Sequence, residues 1–212
     1  MRHIIVMNAK GGCGKSTLAT NLASYYAVGG HNVTLADFDP QRTGLDWVES
    51  RPPGRPLVTG LAAYEDGLTH LPRSTEYLII DAPARSHGRE LTELVKRAET
   101  IIVPVLPSGI DIRASRTFID ELQSVGKVER RQAKIAVVAN RIRENTVIFD
   151  ELDGYLRSVG VPYVATLREA QNYIRAYARG LGVFELPEYL AWPDWEQWGP
   201  LVDWLGSKAS LP

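Results

Sequence analysis

The run Ala9-Lys10-Gly11-Gly12-Cys13-Gly14-Lys15-Ser16-Thr17 has the residue types and spacing to hold a chain of phosphates. Glycines let successive backbone N–H groups curl round phosphate oxygens with no Cβ in the way. Lys15 supplies a point charge for the β- and γ-phosphates, and the Ser16 hydroxyl is a ligand for Mg²⁺. A helix beginning near Lys15 adds unpaired amides and the positive end of its dipole. The apolar run Ile4-Ile5-Val6 before the loop reads as a strand, and Leu18 to Ala27 after it has a helical pattern. Gly11, Gly12, Cys13, Gly14, Lys15, Ser16 and Thr17 are therefore expected to bind the phosphates of a nucleotide.

Acidic residues follow at the ends of later apolar runs. Asn32 to Ala36 reads as a short buried strand ending in Asp37-Phe38-Asp39-Pro40-Gln41. The Asp-x-Asp spacing puts Asp37 and Asp39 on one face if the strand runs through them. Open α/β sheets place ligands at such carboxyl ends. Tyr77-Leu78-Ile79-Ile80-Asp81-Ala82-Pro83 is a second apolar strand ending in a carboxylate. It fits a Walker B element, in which Asp81 would hold Mg²⁺ through water. Lys134 to Arg141 is a further strand, closing on Asn140-Arg141. An asparagine amide offers both a donor and an acceptor, which matches the N6/N7 edge of adenine. It is also a common turn residue after a strand.

One departure in the loop narrows the reading. The usual spacing has glycine where this chain has Ala9, and a second lysine, Lys10, stands beside it. Lys-Gly-Gly-x-Gly-Lys-[Ser/Thr]-Thr resembles the deviant phosphate loop of the ParA/MinD family of ATPases, and in particular of small ParA-type (ParF-like) partition proteins. Asp-x-Asp-Pro-Gln and Asp81-Ala82-Pro83 are similar to that family's switch I and Walker B motifs. The resemblance implies ATP and Mg²⁺ as ligands and a dimer formed face to face on ATP. Lys10 would reach the partner's phosphates and act with Lys15 and Asp39 in catalysis. Asp39 would orient the attacking water, Asp37, Asp39 and Asp81 would serve the metal with Ser16, and Asn140 with Arg141 would meet the base. Ala84 to Gly88 would be switch II. Arg85 within it has the chemistry of an arginine finger, but the family match falls on Lys10.

The bulk numbers exclude several classes. With 212 residues the chain fits one α/β domain over 1–212. A formal net charge of −1 gives no general affinity for nucleic acid, so any such surface is a local patch. The lone Cys13 excludes an internal disulfide, suits a reducing cytoplasm, and is expected to fill space in the loop. Met1-Arg2 leads straight into a strand with no signal-peptide pattern, and no apolar run reaches the roughly 18 residues of a membrane span.

Strand and helix patterns alternate from residue 2 to about 180, which predicts a doubly wound, mostly parallel sheet flanked by helices, the P-loop NTPase fold. Leu57 to Thr59 is expected at an edge, and Val161 to Ala165 as the last strand. Arg168 to Arg179 reads as a helix with Arg168, Arg175 and Arg179 on adjoining parts of one face. ParA-type proteins bind DNA without sequence preference through basic side chains near the carboxyl end. By resemblance these three arginines are the expected DNA contacts, helped by Lys127, Arg130 and Arg131. The Trp-rich segment at about 192–207 carries Asp194, Glu196 and Asp203 where a membrane-surface helix carries cations. Its Trp195, Trp198, Val202 and Leu205 form a stripe suited to docking on a core, so a membrane role is not expected.

The resemblance implies a cytoplasmic, nucleoid-associated ATPase that partitions or positions a plasmid, a chromosome region or another cargo. A ParB-like centromere-binding protein or a cargo adaptor would stimulate hydrolysis. Two rival readings stay open: a P-loop ligase of the dethiobiotin-synthetase type, and a non-hydrolysing nucleotide-gated scaffold.

Overall fold

The computed structural model describes residues 1–212. The chain runs β1 (Arg2–Val6), α1 (Lys15–Val28), β2 (Val33–Asp37), α2 (Thr43–Glu49), β3 (Val58–Ala62), α3 (Ala63–Asp66), β4 (Tyr77–Asp81) and α4 (Gly88–Val95). It continues through β5 (Thr100–Val105), α5 (Gly109–Ser124), α6 (Gly126–Glu129), β6 (Lys134–Ile142), α7 (Val147–Ser158), β7 (Tyr163–Arg168), α8 (Gln171–Tyr177) and α9 (Glu188–Gly206). The seven strands form one sheet in the order β3-β2-β4-β1-β5-β6-β7, and every pairing is parallel. Parallel strands need crossover helices, and those helices cover both faces, so the central strands read as unbroken apolar runs. β5 is buried at every position and β1 from Ile4 onward.

Two apolar layers result. On one face Ile5, Leu78, Ile80 and Val103 pack with Phe118, Leu122, Leu152 and Leu156 of α5 and α7. On the other, Ile4, Val6, Leu35 and Ile79 pack with Leu18 and Leu22 of α1, with Trp47, and with Trp198, Leu201 and Leu205 of α9. The Trp-rich helix is thus a packed element, longer than its pattern suggested and beginning at Glu188. Trp198 is wholly buried, while Trp195 and Val202 flank it at the layer's edge. No helix is long and apolar enough to cross a membrane.

The expected arginine helix is corrected. The apolar–polar alternation that begins at Tyr163 runs on through Thr166 and Leu167, so β7 ends at Arg168 and α8 starts only at Gln171. Arg168, Arg175 and Arg179 therefore do not share a helical face. Arg175 lies in α8, Arg179 comes just after its last turn, and both are exposed. β3 reaches Ala62 at the sheet edge and is followed by the single turn of α3.

Candidate functional site: a phosphate cavity at the switch point of the sheet

β1 lies mid-sheet, with β4 and β2 on one side and β5 on the other. The carboxyl ends of β1, β2 and β4 thus converge where the chain direction switches, the place open α/β sheets bind ligands. Register makes the convergence close. Val6 is paired with Asp81, and Asp81 with Asp37. The loop leaving Val6 therefore sits directly over both strand-terminal carboxylates.

Gly14 has φ 93° at the N-terminus of α1, and a Cβ there would stand 2.2 Å from Asn140 Nδ2. Only glycine meets both demands. The loop is tied internally by its own backbone. The Lys10 carbonyl accepts from Lys15 Nζ at 3.3 Å and from Cys13 Sγ at 3.3 Å, and the Lys10 N–H donates to Asn8 Oδ1 at 3.2 Å. Asn8 Nδ2 in turn donates to the Pro104 carbonyl at 2.7 Å, fastening the loop to the end of β5. Cys13 is fully buried, and that burial pushes its thiol pKa up. It packs the loop, in keeping with the space-filling role.

Around the loop opens a cavity of about 810 Å³. Its walls include Gly11, Gly12, Gly14, Lys15, Ser16 and Thr17, faced by Asp39 and Gln41 on one side and by Arg85 on the other. The size and polar lining suit a nucleotide's phosphates rather than an apolar ligand. A second cavity of about 300 Å³ shares Gly12, Gly14 and Thr17 with the first and is walled by Asn140, Arg141, Glu169, Tyr173 and Ile174. Asn140 is buried and donates from Nδ2 to the Cys13 carbonyl at 2.8 Å, so it also clamps the loop. Arg141 donates to Glu169 at 2.8 Å along the rim.

The carboxylates differ in environment. Asp81 is fully buried, and neither of its oxygens has a partner at hydrogen-bonding geometry. Burial pushes its pKa up to about 7; the nearby Ser16 hydroxyl and Lys15 pull the other way, and the Asp37 carboxylate adds to the rise. A buried carboxyl with both oxygens orphaned, beside the Ser16 hydroxyl, fits a divalent cation. No three His, Cys, Asp or Glu side chains converge on a metal-sized site. A Mg²⁺ ion here would take its other ligands from phosphate and water, as Mg²⁺ commonly does.

Asp37 is equally buried but fully engaged. Its carboxylate accepts from the backbone N–H of Gly44 at 2.8 Å, Leu45 at 3.1 Å and Asp39 at 2.9 Å. Burial raises its pKa despite those three donors. The side chain caps the start of α2 and sets the turn after β2, so its geometry is that of a scaffold for Asp39. Asp39 itself is half-buried, lines the phosphate cavity, and accepts from the Gln41 N–H at 3.0 Å.

Lys10 stands apart from the cavity that Lys15 lines. Its ammonium lies 4.0 Å from Asp111 Oδ1 at the start of α5. Arg85, on which the family match does not fall, proves to be a wall of the cavity with φ 66°. A non-glycine residue in that conformation is uncommon and marks a constrained loop. The structure also separates the expected DNA contacts. Arg168 Nε donates to the fully buried Asp194 at 2.7 Å, and Asn172 donates to the other Asp194 oxygen at 2.6 Å. Arg168 is thus a tie between β7 and α9. Lys127 donates to the Lys96 and Ala98 carbonyls at 2.9 and 2.6 Å.

Comparison with known proteins agrees with this geometry. A family model described as the CobQ/CobB/MinD/ParA nucleotide binding domain matches residues 4–183. The maintenance of carboxysome distribution protein A of Halothiobacillus neapolitanus is 28% identical, with 86% of this chain and 87% of that protein covered. The chromosome-partitioning ATPase Soj of Thermus thermophilus is 38% identical, with 74% of this chain and 76% of that protein covered. The ATP complex of a Cyanothece McdA variant superposes with a TM-score of 0.74 at 16% identity, covering 95% of this chain and 96% of the other. A parallel sheet with a nucleotide loop at its switch point, carrying the deviant second lysine, thus has its place: the chain belongs to the CobQ/CobB/MinD/ParA nucleotide-binding family.

Proposed function

We propose that the chain is a ParA-type ATPase that binds ATP with Mg²⁺, dimerises on it, and positions a cargo on nucleoid DNA. A partner protein, a centromere-binding protein or a cargo adaptor, stimulates hydrolysis. The observation that carries this reading is the division between the two lysines: Lys15 lines its own phosphate cavity, and the Lys10 ammonium lies outside it. A cation built into the loop yet drawn to Asp111, outside its own phosphate cavity, supports a role toward a second subunit.

Within one protomer the loop amides and Lys15 hold the phosphates, and the dipole of α1 adds to their field. Ser16 and Asp81 would hold Mg²⁺, whose charge neutralises the β- and γ-oxygens when it is bound. Asp39, anchored through the Asp37 cap, orients the water opposite the γ-phosphate. Asn140 and Arg141 receive the base. Arg175 and Arg179 are the DNA contacts, weak singly and doubled in a dimer. The named roles of the carboxysome-distribution and chromosome-partitioning relatives support a positioning function without choosing the cargo.

The test is ATP hydrolysis by the purified chain with Mg²⁺ and no second substrate, together with binding of duplex DNA of arbitrary sequence. Turnover and DNA binding in ATP but not ADP, weakening as salt rises, are expected. Absence of both would contradict the reading.

A further inference from the structure

Asp111 holds an oxygen that the fold leaves incomplete. The residue is buried in the first turn of α5, and its Oδ2 accepts from the Ser108 hydroxyl. The same hydroxyl accepts from the Asp111 N–H at 3.1 Å, so the carboxylate is fixed by the cap of its own helix. Oδ1 is buried with no hydrogen-bond partner, and the cation facing it is the Lys10 ammonium at 4.0 Å. The Lys10 backbone is pinned through Asn8, Cys13 and Lys15. Only the side chain, 38% exposed, is left to choose between anions.

We propose that Asp111 is a positioning residue for Lys10. In the free protomer its carboxylate draws the ammonium to the α5 side of the loop. It thereby opposes transfer of that ammonium to the phosphates of a second copy of this chain. The second half rests on the dimer reading given above; the first half does not. Transfer leaves Oδ1 buried and unpaired, which is costly in a low-dielectric site. The triphosphate of a bound nucleotide carries more charge than one carboxylate and can outweigh it. Asp111 then sets how much nucleotide and protein are needed before two protomers close.

The experiment has two arms, using the full chain. In the first, lysines of the nucleotide-free protein are labelled with an N-hydroxysuccinimide acetate and read peptide by peptide. Asp111→Asn should raise Lys10 labelling about two- to fivefold relative to Lys134, the range expected for losing a partly exposed ion pair. In the second, sedimentation with Mg²⁺ and ATP should show Asp111→Asn dimerising at about two- to fivefold lower protein concentration, with Asp111→Glu restoring the original value. Thermal melts of both variants report whether the helix cap survives. Unchanged Lys10 labelling in a folded Asp111→Asn variant would overturn the proposal, as would a weaker dimer. If the unaltered chain forms no dimer on ATP, the dimer reading fails, and the labelling arm still decides the ion pair.

Discussion

Asp37 and Asp81 face each other in register across β2 and β4, yet one is saturated with donors and the other has none. Their strand positions are equivalent. The difference comes from the path of the chain beyond each carboxylate. After Asp37 it turns back into α2 and presents that helix's first amides, whereas after Asp81 it runs on through Ala82-Pro83 and returns no amide to the carboxylate. One carboxylate holds the turn into α2, and the other keeps both oxygens unpaired.

The raised pKa of Asp81 has a sign that can be checked. With a native value of about 7 and an ordinary unfolded value near 4, the native state binds more protons between those limits. Stability of the metal-free protein should therefore fall as pH rises from about 4 to about 7, by up to about 1.4 kcal/mol per unit. Denaturant titrations across that range measure the slope. Mg²⁺ with ATP should flatten it, and Asp81→Asn should reduce it to the part that Asp37 contributes while abolishing the Mg²⁺ response.

Asp37→Ala should act on the scaffold instead. It leaves the Gly44 and Leu45 amides without their cap at a buried helix start, a loss of about 2–4 kcal/mol. Asp39→Ala, whose side chain holds one turn amide, should leave the melting temperature nearly unchanged while lowering hydrolysis by at least tenfold. Melts and turnover measured side by side separate the two carboxylates.

For the arginines the expectation divides along the same line. Arg168→Ala strands the buried Asp194 carboxylate and should cost about 2–4 kcal/mol, below the full cost of a buried pair because the Arg168 side chain is 35% exposed. Arg175→Ala with Arg179→Ala should leave stability within about 0.5 kcal/mol and reduce the salt-dependent DNA slope. Undiminished DNA binding in that double variant would move the contact surface elsewhere.

Asn140→Ala removes the donor to the Cys13 carbonyl and a wall of the second cavity together. Loss of one such bond weakens ATP binding about tenfold, measurable by calorimetry. GTP binding should change less, because the amide's donor–acceptor pair is matched to adenine.

Much of this architecture was legible in the chain, for physical reasons. Strands buried on both faces read as apolar runs, so β1, β2, β4, β5 and β6 stood out, with Asp37 and Asp81 at the ends of β2 and β4 and Asn140 two residues before the end of β6. Phosphate chemistry constrains the loop so tightly that Gly14-Lys15-Ser16 announces itself. Pairing at a distance did not show. Nothing local to Arg168 reveals that Asp194 lies against it, and a helical spacing of arginines concealed a strand end. Nor did Asp-x-Asp reveal that its first carboxylate would be committed to amides seven and eight residues downstream. Arg85 was visible as a residue but not as a wall, because its place depends on a left-handed turn after Pro83.

In the proposed dimer Lys10 works on a second subunit. The most direct measurement is the sedimentation of the unaltered chain and of Lys10→Ala with saturating ATP and Mg²⁺, alongside calorimetric ATP binding. ATP binding within about threefold is expected in both, since Lys15 and the loop amides remain, with a dimer in the unaltered chain alone. A Lys10→Ala protein that dimerises on ATP as fully as the unaltered chain would contradict that role.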